Sequence, residues 1–163
     1  MKVTKTSIEG LVIIEPKVFK DSRGYFFESY NKLVFDKYFG KTNFLQDNES
    51  KSERGVLRGF HFQKPPYAQA KLVRCIEGEV IDIALDLRKK SITYGKYYKI
   101  FLSSRNKKQF FIPRGFAHAF LVLSEYAVFS YKVDNKYAPE YDSGIIWNDL
   151  DLAIDWGLNN SEL

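Results

Sequence analysis

"IPRGFAHAF", Ile112 to Phe120, decides how the rest of the chain is read. Pro113 presets one backbone angle and Gly115 tolerates the other, so the stretch opens with a tight turn. The apolar run "HAFLVLS" then leaves that turn as a strand and carries His118 with it. The other histidine, His61, sits in "GVLRGFHFQ", Gly55 to Gln63. By residue type alone it reads as a core histidine, half of a metal site, or a base.

Working outward, strand signals recur at short intervals. "GLVIIEPKVF" is broken by Pro16 and followed by the turn-like "KDSRG", then by "GYFFESY". "NFLQDNES", "GVLRGFHF", "AKLVRCIEG" and "EVIDIALDL" come next, and the pair around Glu77-Gly78 reads as a hairpin. In its second arm Ile81, Ile83, Leu85 and Leu87 face one way. Val80, Asp82, Ala84 and Asp86 face the other. "YGKYYKIFLS", "QFFIP", "HAFLVLS" and "YAVFSYKVD" continue the series. Between them, Lys32 to Phe39 has helical spacing and stops at Gly40. "GIIWNDLDLAIDW" mixes apolar and acidic residues and is expected to pack on the barrel. Short strands with brief turns indicate an all-β, antiparallel sandwich or barrel with one or two short helices.

The composition agrees. A chain of 163 residues with 45% hydrophobic and 28% charged residues forms one domain, residues 1–163, with a real core. The 14 Phe and 11 Tyr sit largely in alternating runs, which favours strands. There is no apolar run of about 18 residues, so no membrane partner is expected. The start, "MKVTKTSIEG", lacks a secretory apolar segment. Cys75 is the single cysteine, so a reducing cytoplasmic setting is the default. The +5 net charge is spread among 20 acids and forms no stripe, which argues against nucleic acid and leaves a small anionic ligand.

Pro113, Gly115 and His118 have the spacing of a cupin turn followed by an inward histidine. Metal-binding cupins supply further ligands from a His-x-His on another strand. Here that position reads His61-Phe62-Gln63, and two histidines cannot make a three-histidine site. No metal is expected. Strict alternation would put Arg58 and His61 on opposite faces, but Gly59 permits a bulge that turns both inward. Tyr131 shares a face with Ala127, Phe129 and Val133, so it points inward as well.

Those motifs carry a resemblance. "GLVIIEPKVFKDSRGYFFESYN", "QDNESKSERGVLRGFHFQKPPYAQAKLVRCIEGEVIDIALDLRKKSITYGKY", "IPRGFAHAFLVLSE" and "YKVDNKYAPEYDSGIIWNDLDLAIDW" resemble the dTDP-4-dehydrorhamnose 3,5-epimerase family from Gly10 to Trp156. The resemblance implies a jelly-roll homodimer acting on a dTDP-4-keto-6-deoxy sugar without a cofactor. Such a sugar is acidic at C3 and C5, because either carbanion delocalises onto the C4 oxygen. Epimerisation then needs a base, a proton donor on the opposite face, and a positive group for the enolate oxygen. His61 fits the base, Tyr131 the acid and Lys71, alone or with His118, the enolate stabiliser; the resemblance implies the same roles. It further implies nucleotide and sugar contacts at Arg23, Glu28, Gln46, Asn48, Arg58, His118 and Asp142, with Tyr137 stacking on the thymine. Outside the motifs, such charges would read as solvated surface, and Tyr131 and Tyr137 as packing aromatics.

The family continues past "IDWP" into a tail whose acid pairs with the catalytic histidine. Here Gly157 replaces the proline and "NNSEL" follows. Asp82 is therefore the expected partner of His61, or else orients His118. Three readings follow: a 3,5-epimerase, an epimerase confined to C3, and a cupin that binds a nucleotide sugar without catalysis.

Overall fold

The computed structural model describes residues 1–157; the closing "NNSEL" lies outside them. The strands are β1 Lys2–Lys5, β2 Val12–Glu15, β3 Phe19–Asp21, β4 Gly24–Phe26, β5 Gln46–Glu53, β6 Leu57–Gln63, β7 Lys71–Glu77, β8 Glu79–Asp86, β9 Tyr97–Ser103, β10 Gln109–Ile112, β11 Phe116–Val122, β12 Tyr126–Val133 and β13 Asp142–Gly144. One helix, α1 Lys32–Phe39, and a short turn of 3-10 helix, Pro139–Tyr141, complete the described elements.

Two antiparallel sheets face each other. One has the order β1-β2-β10-β7-β12-β5 and the other β13-β6-β11-β8-β9. Alternation divides their side chains as expected. Val73, Phe110 and Phe129 of the first sheet meet Val80, Ala84, Leu102 and Phe120 of the second in the central core. The opposite face of the second sheet, Ile83, Leu85 and Phe60, is covered by the segment from Ile145 to Trp156. "GIIWNDLDLAIDW" therefore packs on the barrel as its composition suggests, with Trp156 donating from its indole to the Trp147 carbonyl at 3.1 Å.

The outer face of the first sheet is covered by α1. Asn31 caps the helix by accepting the Val34 N–H at 3.3 Å. Gly40, with φ of 71°, closes it by donating to Asp36. Phe35 is the buried residue of this helix and packs with Val12, Ile14, Leu72 and Phe111. Burial of one such ring contributes roughly 2–3 kcal/mol, far more than the intrinsic propensity of an eight-residue helix.

The expected hairpin at Glu77-Gly78 is not one. β7 and β8 belong to different sheets, so the turn is a corner between them. The reason lies in burial. Val73 and Cys75 on one side and Val80 on the other all enter the same central core, from opposite walls. Gly78 makes the corner with φ of 80°, and a Cβ there would lie 2.2 Å from the Tyr126 oxygen.

β1 and β13 carry no strand signal of their own. β13 reads Asp-Ser-Gly, residue types of turns. It is a strand because β6 offers it an edge, pairing Asp142 with Gln63, Ser143 with Phe62 and Gly144 with His61.

Candidate active site

The β6 register shifts where β11 passes it: His118 lies opposite His61, but Phe120 lies opposite Arg58. Three steps along β6 match two along β11, so β6 holds one extra residue, the bulge foreseen at Gly59. Gly59 has φ of 118°, and a Cβ there would sit 2.4 Å from the His118 carbonyl oxygen. Leu57, Phe60 and Phe62 consequently all face the outer cluster. Arg58 and His61 turn inward together. Arg58 reaches the facing sheet, where its Nε donates to Ser52 Oγ on β5 at 2.9 Å.

His61 lies between two charged groups. Its Nε2 is 2.5 Å from Asp142 Oδ1, and its Nδ1 is 3.4 Å from Lys71 Nζ. Burial and the Lys71 charge push its pKa below the ordinary value, and Asp142 opposes them. Lys71 is itself 5% exposed. Burial lowers its ammonium pKa to about 8, against the pull of Asp82 and Asp142. A neutral imidazole can take up a proton, and the ammonium beside it, while protonated, can hold a negative charge.

His118 is the cross-strand neighbour of His61. It stacks on Phe129 at 6.0 Å, and its Nε2 lies 2.8 Å from Asp82 Oδ2. The expectation that Asp82 partners His61 is thus corrected: Asp82 holds His118, the second of its two expected roles. Asp82 faces inward beside Ala84 on β8, where β11 pairs it directly. Its Oδ1 is buried without a hydrogen-bond partner among the described residues.

Tyr131 comes from β12 in the opposing sheet and packs against the central core. Burial raises its pKa and Arg58 lowers it, so the phenol holds its proton at neutral pH. Asn48 is its cross-strand partner. Asn48 shares a β5 face with Gln46 and with the Ser52 that meets Arg58, and Gln46 Nε2 donates to Asn48 Oδ1 at 2.7 Å. Tyr137 is exposed, and its hydroxyl donates to Asp142 Oδ2 at 3.4 Å.

Arg23 and Glu28 are not brought to this cavity. Arg23 pairs with Asp21 at 2.7 Å in the exposed β3-β4 hairpin. Glu28 accepts from Asn31 Nδ2 at 3.0 Å, beside the helix on the outer face of the first sheet. The Arg58, His61, Lys71, Asp82, His118 and Tyr131 side chains converge between the sheets, and Asp142 and Tyr137 join at their edge. Among the described residues, no three His, Cys, Asp or Glu side chains gather where a metal could sit. No described helix is long and apolar enough to cross a membrane.

Comparison with known proteins gives the family. The family model described as dTDP-4-dehydrorhamnose 3,5-epimerase matches residues 5–163. The dTDP-4-dehydrorhamnose 3,5-epimerase of Shigella flexneri is 53% identical over 161 residues, covering 98% of this chain and 89% of that protein. The crystal structure of the Elizabethkingia anophelis protein of that name matches with a TM-score of 0.95 at 54% identity, over 100% of this chain and 90% of that one. The dTDP-6-deoxy-D-glucose-3,5-epimerase of Legionella pneumophila, solved with dTDP-4-keto-L-rhamnose, matches with a TM-score of 0.93 at 46% identity, over 98% of this chain and 85% of that one.

Proposed function

This chain belongs to the dTDP-4-dehydrorhamnose 3,5-epimerase family, and we propose that it inverts C3 and C5 of dTDP-4-dehydro-6-deoxy-D-glucose to give dTDP-4-dehydro-L-rhamnose. The observation that supports this reading is a histidine and a protonated tyrosine on opposite walls of one cupin-type barrel. His61 stands on the second sheet and Tyr131 on the first, with Lys71 beside the imidazole.

In this reading His61 removes the proton from C3 or C5. The C–H electrons pass to the C4 oxygen, and the Lys71 ammonium holds the enolate, where charge develops. Tyr131 then protonates the carbon from the other face. Solvent returns the Tyr131 proton and removes the one on His61. Only protons move, so the chemistry calls for no redox cofactor. Arg58, Gln46, Asn48 and Tyr137 serve the nucleotide diphosphate, His118 and Asp142 border the sugar, and the reaction runs in the cytoplasm.

The test is solvent exchange. In D2O the product should carry two deuterium atoms, read by mass spectrometry. One deuterium would restrict the enzyme to C3, and none would reduce it to a binding protein. With Tyr131→Phe in the same assay, wash-in should persist with retention while inverted product falls, most severely at C5. Undiminished formation of the doubly inverted sugar would remove Tyr131 from its role.

The pH dependence follows from the two groups flanking the reaction. His61 acts as the neutral base, so activity is lost as pH falls through a pKa lying below 6.5. Lys71 acts as the cation, so activity is lost as pH rises through about 8. A bell-shaped kcat/KM profile with those limbs is expected. A profile flat from pH 7 to about 10 would exclude charged Lys71 from the rate.

Arg23 and Glu28 are best placed to serve a neighbour's cavity. Arg23 sits in the turn of a hairpin and Glu28 follows it; the hairpin exposes Phe19, Tyr25 and Phe26, which fits a homodimer interface. Light scattering at micromolar concentration should give twice the chain mass. A monomer with full activity would sink the dimer reading.

A further inference from the structure

We infer that a cavity at the end of the two sheets is a second, water-carrying way in, through which Lys71 passes the proton held by His61 to solvent while the nucleotide sugar still closes the first. This rests on the proposed epimerase reading and adds the route that resets the base.

Two inversions on one bound sugar raise a proton problem. After the first, His61 is an imidazolium and cannot take the second C–H proton. The sugar enters where β5 edges one sheet and β13 and β6 edge the other, the side on which Arg58 reaches across to Ser52 at 2.9 Å. Gln46, Asn48, Arg58 and Tyr137, the proposed nucleotide contacts, ring that opening. A bound substrate therefore covers it.

The cavity lies elsewhere. It has a volume of about 570 Å³ and sits where β6 ends at Gln63, β7 begins at Lys71, the chain leaves β8 at Leu87 and β11 begins at Phe116. Lys64, Pro65, Pro66 and Arg114 on its rim are exposed, so it opens to solvent. Hydrogen bonds hold its walls in place. Gln63 Nε2 donates to the carbonyls of Tyr67 at 2.8 Å and Lys136 at 3.0 Å, and Gln69 Nε2 to that of Asn135 at 2.9 Å. On the facing wall Arg88 is clamped by Asp86 at 2.7 Å and lies 4.6 Å from the centre of the Phe116 ring. Gly115 leaves room for it, since a Cβ there would be 2.7 Å from Arg88 Cγ. The volume far exceeds the roughly 10–15 Å³ that one water needs, and Lys71, Gln69 and the two guanidinium groups supply polar partners.

Lys71 belongs to both places. It lines the cavity, and its Nζ is 3.4 Å from His61 Nδ1. The transfer balances in two steps. The ammonium first gives a proton to cavity water, a release favoured by the imidazolium charge beside it. The resulting amine then takes the Nδ1 proton of the imidazolium. One proton has gone to solvent, the imidazole is neutral and the ammonium is restored. Burial supports the first step: at a pKa of about 8 the ammonium releases a proton about 300-fold more readily than at the ordinary 10.5.

The experiment plugs the cavity and leaves every catalytic side chain in place. Ala68 lines its loop wall, so Ala68→Phe should fill the passage and Ala68→Ser should leave it open. Enzyme in excess is mixed with the keto sugar in D2O, and excess dTDP is added at once to prevent rebinding. Wild type and Ala68→Ser should yield doubly inverted sugar with two deuterium atoms from that one binding event. Ala68→Phe should release singly inverted sugar, or doubly inverted sugar with one deuterium, because the proton on His61 has nowhere to go but back. A second readout needs no turnover. With dTDP-glucose closing the front, ¹⁵N NMR of the Lys71 ammonium should show exchange with water that slows at least about 10-fold in Ala68→Phe. Leu87→Trp, from the facing wall, should do the same and serves if Ala68→Phe does not fold. Two deuterium atoms from a plugged chain at the wild-type rate would overturn the inference. So would singly inverted sugar released by wild type under the trap, or Lys71 exchange that neither plug slows. If wild type does not turn over the keto sugar, the epimerase reading falls, and the Lys71 exchange still decides the water route.

Discussion

His61→Ala should abolish deuterium wash-in at both C3 and C5, a loss of at least about 10³–10⁴-fold, the upper range for removal of a general base. No neighbour can take over. His118 is held by Asp82 at 2.8 Å and stacked on Phe129. Lys71, with a pKa of about 8, is mostly protonated at neutral pH. Tyr131 holds its proton more firmly than a free phenol because it is buried. Binding of dTDP, followed by calorimetry, should change little, because Arg58 and Tyr137 are untouched. Exchange at near wild-type rate in the variant would show that another group is the base.

Lys71→Met should do two opposite things. Turnover should fall on the order of 10²–10³-fold, as when one donor to a developing oxyanion is removed. Stability at pH 7 should rise. In the fold this ammonium has a pKa of about 8, against an ordinary 10.5, a difference worth roughly 3 kcal/mol. The gain will be smaller where Asp82 and Asp142 lose a counter-charge. The sign can be checked across pH. The unfolded chain binds more protons than the folded one between about 8 and 10.5, so wild-type stability should climb over that window, and the methionine chain should lack that climb. Denaturant melts at pH 7 and pH 10 read both. A less stable variant at pH 7 would show that the buried ammonium contributes more than its desolvation costs.

The barrel was legible because alternation is a strong signal. Ile81, Ile83 and Leu85 parted from Val80 and Ala84 as their spacing demanded, and Gly59 announced the bulge that turns Arg58 and His61 inward. Periodicity records which face a side chain takes, but not which strand lies beside it. For that reason the Gly78 corner read as a hairpin. The same limit hid the partner of His61. Asp142 belongs to a three-residue strand of turn formers that exists only because β6 has a free edge, so its approach to His61 left no mark in the spacing, and Asp82 looked like the nearer acid. The placement of Arg23 and Glu28 was out of reach for another reason. Their role depends on a surface meeting a second chain, and periodicity within one chain carries no trace of it.

The strand order has a consequence for how the chain is made. Among the described residues β6, which carries His61, pairs with β11 and β13 alone, and β5 pairs with β12 alone. During synthesis the ribosome releases Gln63 long before Phe116, at about 5–20 residues per second. For several seconds the emerging chain therefore carries β6, with Phe60 and Phe62, before its partner strands have been translated. Non-local pairing of this kind folds slowly. Expression at lower temperature, or with a holdase chaperone in excess, should raise the soluble yield without altering the finished enzyme.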